Sequence, residues 1–126
     1  MDENLGMGEF THEKLDVYRE AVAFVGLAEE VAVALPKGRA YLADQLRRAA
    51  LSIPLNIAEG AGEFAAADKA RFYRMARRSG TECAAILEVC CVLRTTPDTT
   101  ADPARTKLSR IVAMLTAMVR GAPHTP

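Results

Sequence analysis

The stretch "SIPLNIAEGAGE" occupies residues 52–63, and it sets a proline among apolar residues at helical spacing. A proline inside a helix removes a backbone donor and clashes with the carbonyl four residues back, at a cost of about 3 kcal/mol. Yet Leu42, Leu46, Ala49, Ile53 and Ile57 keep helical spacing through Pro54. The block therefore reads as one helix from near Arg39 with a kink at Pro54. Gly60, with Gly62 just beyond, supplies its stop.

On a helical wheel Leu42, Leu46, Ala50, Ile53 and Ile57 form the centre of this helix, and Leu51, Pro54 and Ala58 widen the apolar arc to roughly 200°. One bundle partner does not need so wide a face, so a second side is expected to bury against another copy, with Leu51, Pro54 and Ala58 as interface candidates. Gln45, Ser52, Asn56 and Glu59 form a polar stripe on the opposite flank, placed to hydrogen-bond to Ser79 or Glu82. Pro54 reads as a packing kink rather than a functional hinge. Asn56 reads as a structural hydrogen-bonding residue that fixes register rather than as a ligand contact.

Three further blocks flank this one. The first runs from about Thr11, an N-cap candidate with Lys14 where a capping box has Glu, through Leu15, Tyr18, Val22, Val25, Ala28, Val31 and Leu35, and ends at Pro36 and Gly38. The third, Ala66 to about Leu93, places Phe72, Ala76, Ser79, Cys83, Ile86, Cys90 and Leu93 at 3–4 spacing. After the turn-rich TTPDTTADP, the fourth shows Ala104, Leu108, Ile111, Leu115 and Met118 on one face. There Asp102 is placed to cap, Pro103 falls at the first helical position, and Gly121 with two prolines closes the block. No segment alternates with period two. The expectation is an all-α fold whose short connections make sequential helices antiparallel: an up-down-up-down four-helix bundle over residues 11–121, with flexible tails at 1–10 and 122–126.

The 126 residues suit one domain. Half are hydrophobic, a quarter are charged and none is Trp, as in an Ala- and Leu-rich helical protein. The net charge is zero but not evenly spread. Residues 1–30 carry eight acids against Lys14 and Arg19, and residues 31–80 carry nine bases against Asp44, Glu59, Glu63 and Asp68. The acidic start MDENLGMGEF is unlike a secretion signal, which implies a cytoplasmic protein. The apolar run from Ala21 to Leu35 is broken by Glu29 and Glu30 and is shorter than the ~20 residues of a membrane span. Cys83, Cys90 and Cys91 form no C-x-x-C pair and read as core residues of a reducing compartment.

Catalytic patterns are missing from the sequence. The two histidines, His12 and His124, are near the ends, so a Ser-His-Asp or Cys-His arrangement would need a tail to reach the bundle. No Glu-x-x-His or cysteine cluster offers metal-ligand spacing. Gly60 and Gly62 lack the strand, third glycine and lysine of a phosphate loop. The expectation is a non-enzymatic protein without metal or cofactor.

What remains is charge. Arg71, Arg74 and Arg78 fall on one flank and the back of the third helix and Arg77 nearer the other flank, while Lys37, Arg39, Arg47 and Arg48 come from the neighbouring region. Guanidinium groups suit phosphates because their planar donors engage two oxygens at once. The competing reading is a solvated face with pairs such as Arg78 to Glu82, in keeping with the zero net charge.

"QLRRAALSIPLNIAEGAGE" (45–63) followed by "RFYRMARRSGTE" (71–82) resembles the four-helix bundle family typified by the 23S rRNA intervening-sequence proteins. Its Q-L-R-R-A, S-I-P-x-N-I-A-E-G and A-R-x-S-x-x-E patterns map onto Gln45 to Ala49, Ser52 to Gly60 and Ala76 to Glu82. "LDVYREAVAFV" (15–25) is similar to the family's first helix, and Arg78 departs from the pattern where Gly is more frequent. The resemblance implies a bundle assembled as a homopentamer, and kinship with the accessory variability determinant of diversity-generating retroelements, which engages nucleic acid and a reverse transcriptase. Two functions follow as expectations. One is a homo-oligomer that binds RNA or DNA, or a nucleic-acid enzyme such as a reverse transcriptase, through a basic surface repeated around a ring. The other is an oligomeric scaffold for a protein partner, without nucleic-acid binding.

Overall fold

A computed structural model describes His12 and residues 15–121. The described residues form four helices and no strand: α1 (Asp16–Ala34), α2 (Ala40–Ala61), α3 (Ala66–Val92) and α4 (Asp98–Arg120). Thr11, Lys14, His124 and the segments 1–10 and 122–126, for which a cap and flexible tails are expected, lie outside the described residues. α1 packs on α2 and α4, and α3 packs on α2 and α4, while the diagonal pairs keep their backbones farther apart. The result is a four-helix bundle with a single core running down its centre.

The core forms where the apolar stripes meet. Phe24 of α1, Leu46, Ile53 and Ile57 of α2, Cys83 and Leu87 of α3, and Ile111 and Leu115 of α4 are all fully buried. Helices this long draw their stability from such burial rather than from intrinsic propensity. All five core positions read for α2 are buried. In α3 the expected Ala76, Cys83, Ile86 and Cys90 are buried, but Tyr73 and Gly80 take the place of Phe72 and Ser79, which lie at the flank, and Leu93 is exposed. In α1, Val22 is exposed, and Val17, Ala21 and Phe24 take the inward positions.

The helix ends correct two further expectations. α4 begins at Asp98 behind Pro97, so Asp102 and Pro103 lie inside it and cap nothing. Ala101 is fully buried, and that burial retains the extra turn despite the interior proline. α2 continues to Ala61 with Gly62 as its C-cap, so of the two expected glycines Gly62 ends the helix and Gly60 lies inside it. A Cβ at Gly60 would lie 2.7 Å from Cε1 of the buried Tyr73 ring and 3.1 Å from Phe72 Cβ. Gly60 is thus a point of close approach between α2 and α3.

Within residues 52–63, Ser52, Asn56 and Gly60 follow at four-residue spacing and so share one line along α2. Ser52 Oγ hydrogen-bonds Ser79 Oγ at 2.5 Å, Asn56 Nδ2 donates to the Ser52 carbonyl at 2.9 Å, and Gly60 admits Tyr73. Below them Lys69 Nζ donates to the Ala61 carbonyl at 3.1 Å and the Gly60 carbonyl at 3.4 Å, satisfying acceptors that a helix end leaves open. Gln45, Glu59 and Glu82 are exposed and take no part in this seam.

Candidate nucleic-acid interface

α3 is amphipathic, and the side it turns away from the core carries the charge. Arg71, Arg74 and Arg78 are exposed and Arg77 is half-buried. Together with Met75 and Thr81 they line a shallow depression on the outer face of the helix's first half. At 1.5 Å per residue, Arg71 and Arg78 stand about 10 Å apart along the axis. Arg71 stacks on its neighbour, with Cζ 4.4 Å from the Phe72 ring centroid.

None of these four guanidiniums has a carboxylate partner among the described residues, and the expected Arg78–Glu82 pair does not form. Lys37, Arg39, Arg48, Lys69, Arg94 and Arg120 likewise have no carboxylate partner among the described residues, but only the α3 arginines gather around one depression, whereas Arg19, Arg47, Arg105, Lys107 and Arg110 are paired. Lys107 Nζ and Arg110 Nη1 reach Glu20 Oε1 at 2.8 and 3.3 Å, joining α4 to α1. The hydrogen bond from Lys107 holds the Glu20 carboxyl below the usual carboxylate range. Arg105 donates to Asp102 Oδ1 at 3.3 Å and Cys91 Sγ at 3.2 Å. The α3 cluster therefore presents uncompensated positive charge on a chain whose total charge is zero.

The remaining basic candidates are not gathered into it. Arg47 makes a bidentate pair with Glu29, Nε to Oε1 at 2.8 Å and Nη2 to Oε2 at 3.1 Å, and so turns toward α1. Its hydrogen bond lowers the Glu29 pKa and raises that of Arg47. Arg39 donates to the Tyr41 hydroxyl at 3.1 Å, and Lys37 is exposed in the α1–α2 turn. From the Ser52–Ser79 level, Arg39 lies about 20 Å toward the start of α2 and Arg71 about 12 Å the other way, where Lys69 ties α3 to the end of α2. Lys37 and Arg39 thus sit at the far end of the pair. Arg48, exposed four residues before Ser52, is the α2 cation placed on the α3-facing flank. Arg78 is exposed, and the close approach to α4 occurs instead at Gly80, whose Cβ would lie 3.1 Å from Val112 Cγ2.

The interface candidates of α2 separate in the same way. Pro54 is buried within its own bundle and cannot face a second copy, and Ala58 is half-buried. Leu51 is 50% exposed, and Leu55, which wheel reasoning omits, is 55% exposed. One turn apart on α2, these two exposed leucines leave an apolar patch on its outer face. The omission has a plain cause, since a lone leucine at a polar position carries no periodic signal.

Other chemistry finds little footing. Burial pushes the Cys83 thiol up to about 12 and raises that of Cys90, which makes both poor nucleophiles. Among the described residues no group of three His, Cys, Asp or Glu is placed to hold a metal ion, and no helix is long and apolar enough to cross a membrane. The family model described as "23S rRNA-intervening sequence protein" matches residues 13–117. Among curated proteins nothing matches the sequence.

Proposed function

The chain belongs to the 23S rRNA-intervening sequence protein family, and from that premise and the unpaired arginines of α3 we propose that it is a non-enzymatic homo-oligomer that binds nucleic acid through phosphate contacts. The observation that carries this reading is the gathering of Arg71, Arg74, Arg77 and Arg78, none with a carboxylate partner among the described residues, around one depression on α3. Guanidiniums left unpaired on one face favour polyanion binding, because a phosphate supplies the bidentate acceptor that no carboxylate of the bundle supplies.

Assembly multiplies the effect. A single cluster of four arginines binds weakly, whereas copies repeated around a ring engage one strand together and gain avidity without new contacts. The exposed Leu51 and Leu55 support such assembly. The contacts read phosphates and not base edges, so little sequence preference is expected. The same surface would serve a partner that itself carries nucleic acid, such as a reverse transcriptase.

Fluorescence anisotropy with labelled RNA and DNA tests the proposal, comparing wild type with Arg71→Glu/Arg74→Glu/Arg78→Glu. The variant is expected to lose binding while keeping its helical content and assembly. Equal binding by both proteins would favour a scaffold for a protein partner.

A further inference from the structure

Two residues before α3, at the end of the helix where the arginines lie, the bundle leaves an aromatic side chain bare. Phe64, in the α2–α3 connection, is fully exposed and is the most exposed large apolar side chain among the described residues. Five residues into α3, about 8 Å along its axis, the Arg71 guanidinium sits over the Phe72 ring, with Cζ 4.4 Å from its centroid. A guanidinium backed by a ring keeps its other face open to a further planar group. Arg74 and Arg78 continue along the outer face beyond it. A bare ring, a ring-backed guanidinium and two unpaired guanidiniums thus follow one another from the turn up the helix.

Resting on the nucleic-acid reading above, we propose that this face takes a single strand: bases stack on Phe64 and on the outer face of Arg71, while Arg74 and Arg78 hold phosphates. Unstacked bases splay onto aromatic rings and guanidinium planes, and every base offers such a face whatever its identity. A duplex hides its base faces in its own stack and would leave Phe64 without a partner.

The test is anisotropy with a labelled mixed-sequence RNA single strand and with its duplex, for wild type, Phe64→Ala and Phe64→Tyr, at two salt concentrations. Wild type is expected to prefer the single strand. Phe64→Ala should weaken single-strand binding about tenfold and leave both duplex binding and the salt slope unchanged, because no phosphate contact is lost. Phe64→Tyr should bind as wild type. No loss in Phe64→Ala, or an equal loss on both ligands, overturns the inference. So does dissociation of Phe64→Ala in light scattering, which would make Phe64 a subunit contact. If Arg71→Glu/Arg74→Glu/Arg78→Glu abolishes binding while Phe64→Ala does nothing, the single-strand inference alone fails; if the arginine variant binds as wild type, the parent reading fails as well.

Discussion

Ser52 and Ser79 meet hydroxyl to hydroxyl at 2.5 Å across the α2–α3 seam, and Asn56 Nδ2 reaches the same Ser52 oxygen at 3.2 Å. A half-buried hydroxyl pair between helices otherwise packed mainly through apolar side chains fixes their register, since sliding either helix by a turn would strand two polar groups. That register carries the outer face of α3, with its arginines, outward along the whole first half of the helix.

One turn beyond Asn56, the seam closes on Gly60. Gly60→Ala would press a methyl group against the Tyr73 ring, which is itself buried and cannot swing away. The substitution should destabilise by about 1–3 kcal/mol, outweighing a helix-propensity gain of up to about 1 kcal/mol. Gly26→Ala, where a Cβ meets nothing within 4 Å, should gain most of that propensity term. Urea unfolding midpoints that rise for both variants would contradict close packing at Gly60.

α3 ends in a Schellman motif with the wrong residue in it. Arg94 has φ 59°, its N–H donates to the Cys91 carbonyl at 3.0 Å, and the Thr95 N–H donates to the Cys90 carbonyl at 3.0 Å. That position favours glycine because a Cβ is strained at positive φ. Arg94→Gly should raise stability by about 0.5–1 kcal/mol, read as a higher thermal midpoint, whereas Arg94→Ala should not.

Stability should weaken in acid through Glu20. Its folded pKa is lowered, first by the hydrogen bond from Lys107 and then by the nearby charges. Its contribution is therefore complete above the unfolded carboxylate pKa of about 4.3 and disappears as pH falls through the folded value. Glu20→Gln should have a lower thermal midpoint than wild type at pH 7, and the difference should shrink as pH drops below 4. A difference that persists unchanged in strong acid would mean that the pair's charge is not what Glu20 contributes.

Assembly should depend on the exposed leucines of α2. Leu51→Glu/Leu55→Glu is expected to give particles of the 13.6 kDa monomer mass in light scattering, with helical content kept because neither residue is in the core. Wild type at the same micromolar concentration should be several times larger.

Much of the bundle was legible because period and burial agree most closely in α2, where Leu42, Leu46, Ala49, Ile53 and Ile57 are all inside. In α3 Ala76, Cys83, Ile86 and Cys90 were legible too, but Gly80 was not, because a residue without hydrophobic signal is buried there for its smallness beside Val112. The start of α4 was missed because Asp102–Pro103 imitates a helix start more closely than Pro97–Asp98 does, and only the burial of Ala101 reveals the earlier turn. At the candidate site the α3 arginines were legible from spacing. That Arg47 is engaged by Glu29, eighteen residues away in sequence, depends on how α1 lies against α2, which no local pattern encodes.

The most direct measurement of the central claim is the salt dependence of nucleic-acid affinity for the assembled protein. Phosphate contacts through α3 predict a linear fall of log affinity with log salt, with a slope of about 0.7 per phosphate on a single strand, and a shallower slope for Arg74→Ala. Absence of binding at low salt, or a slope that Arg74→Ala leaves unchanged, would contradict it.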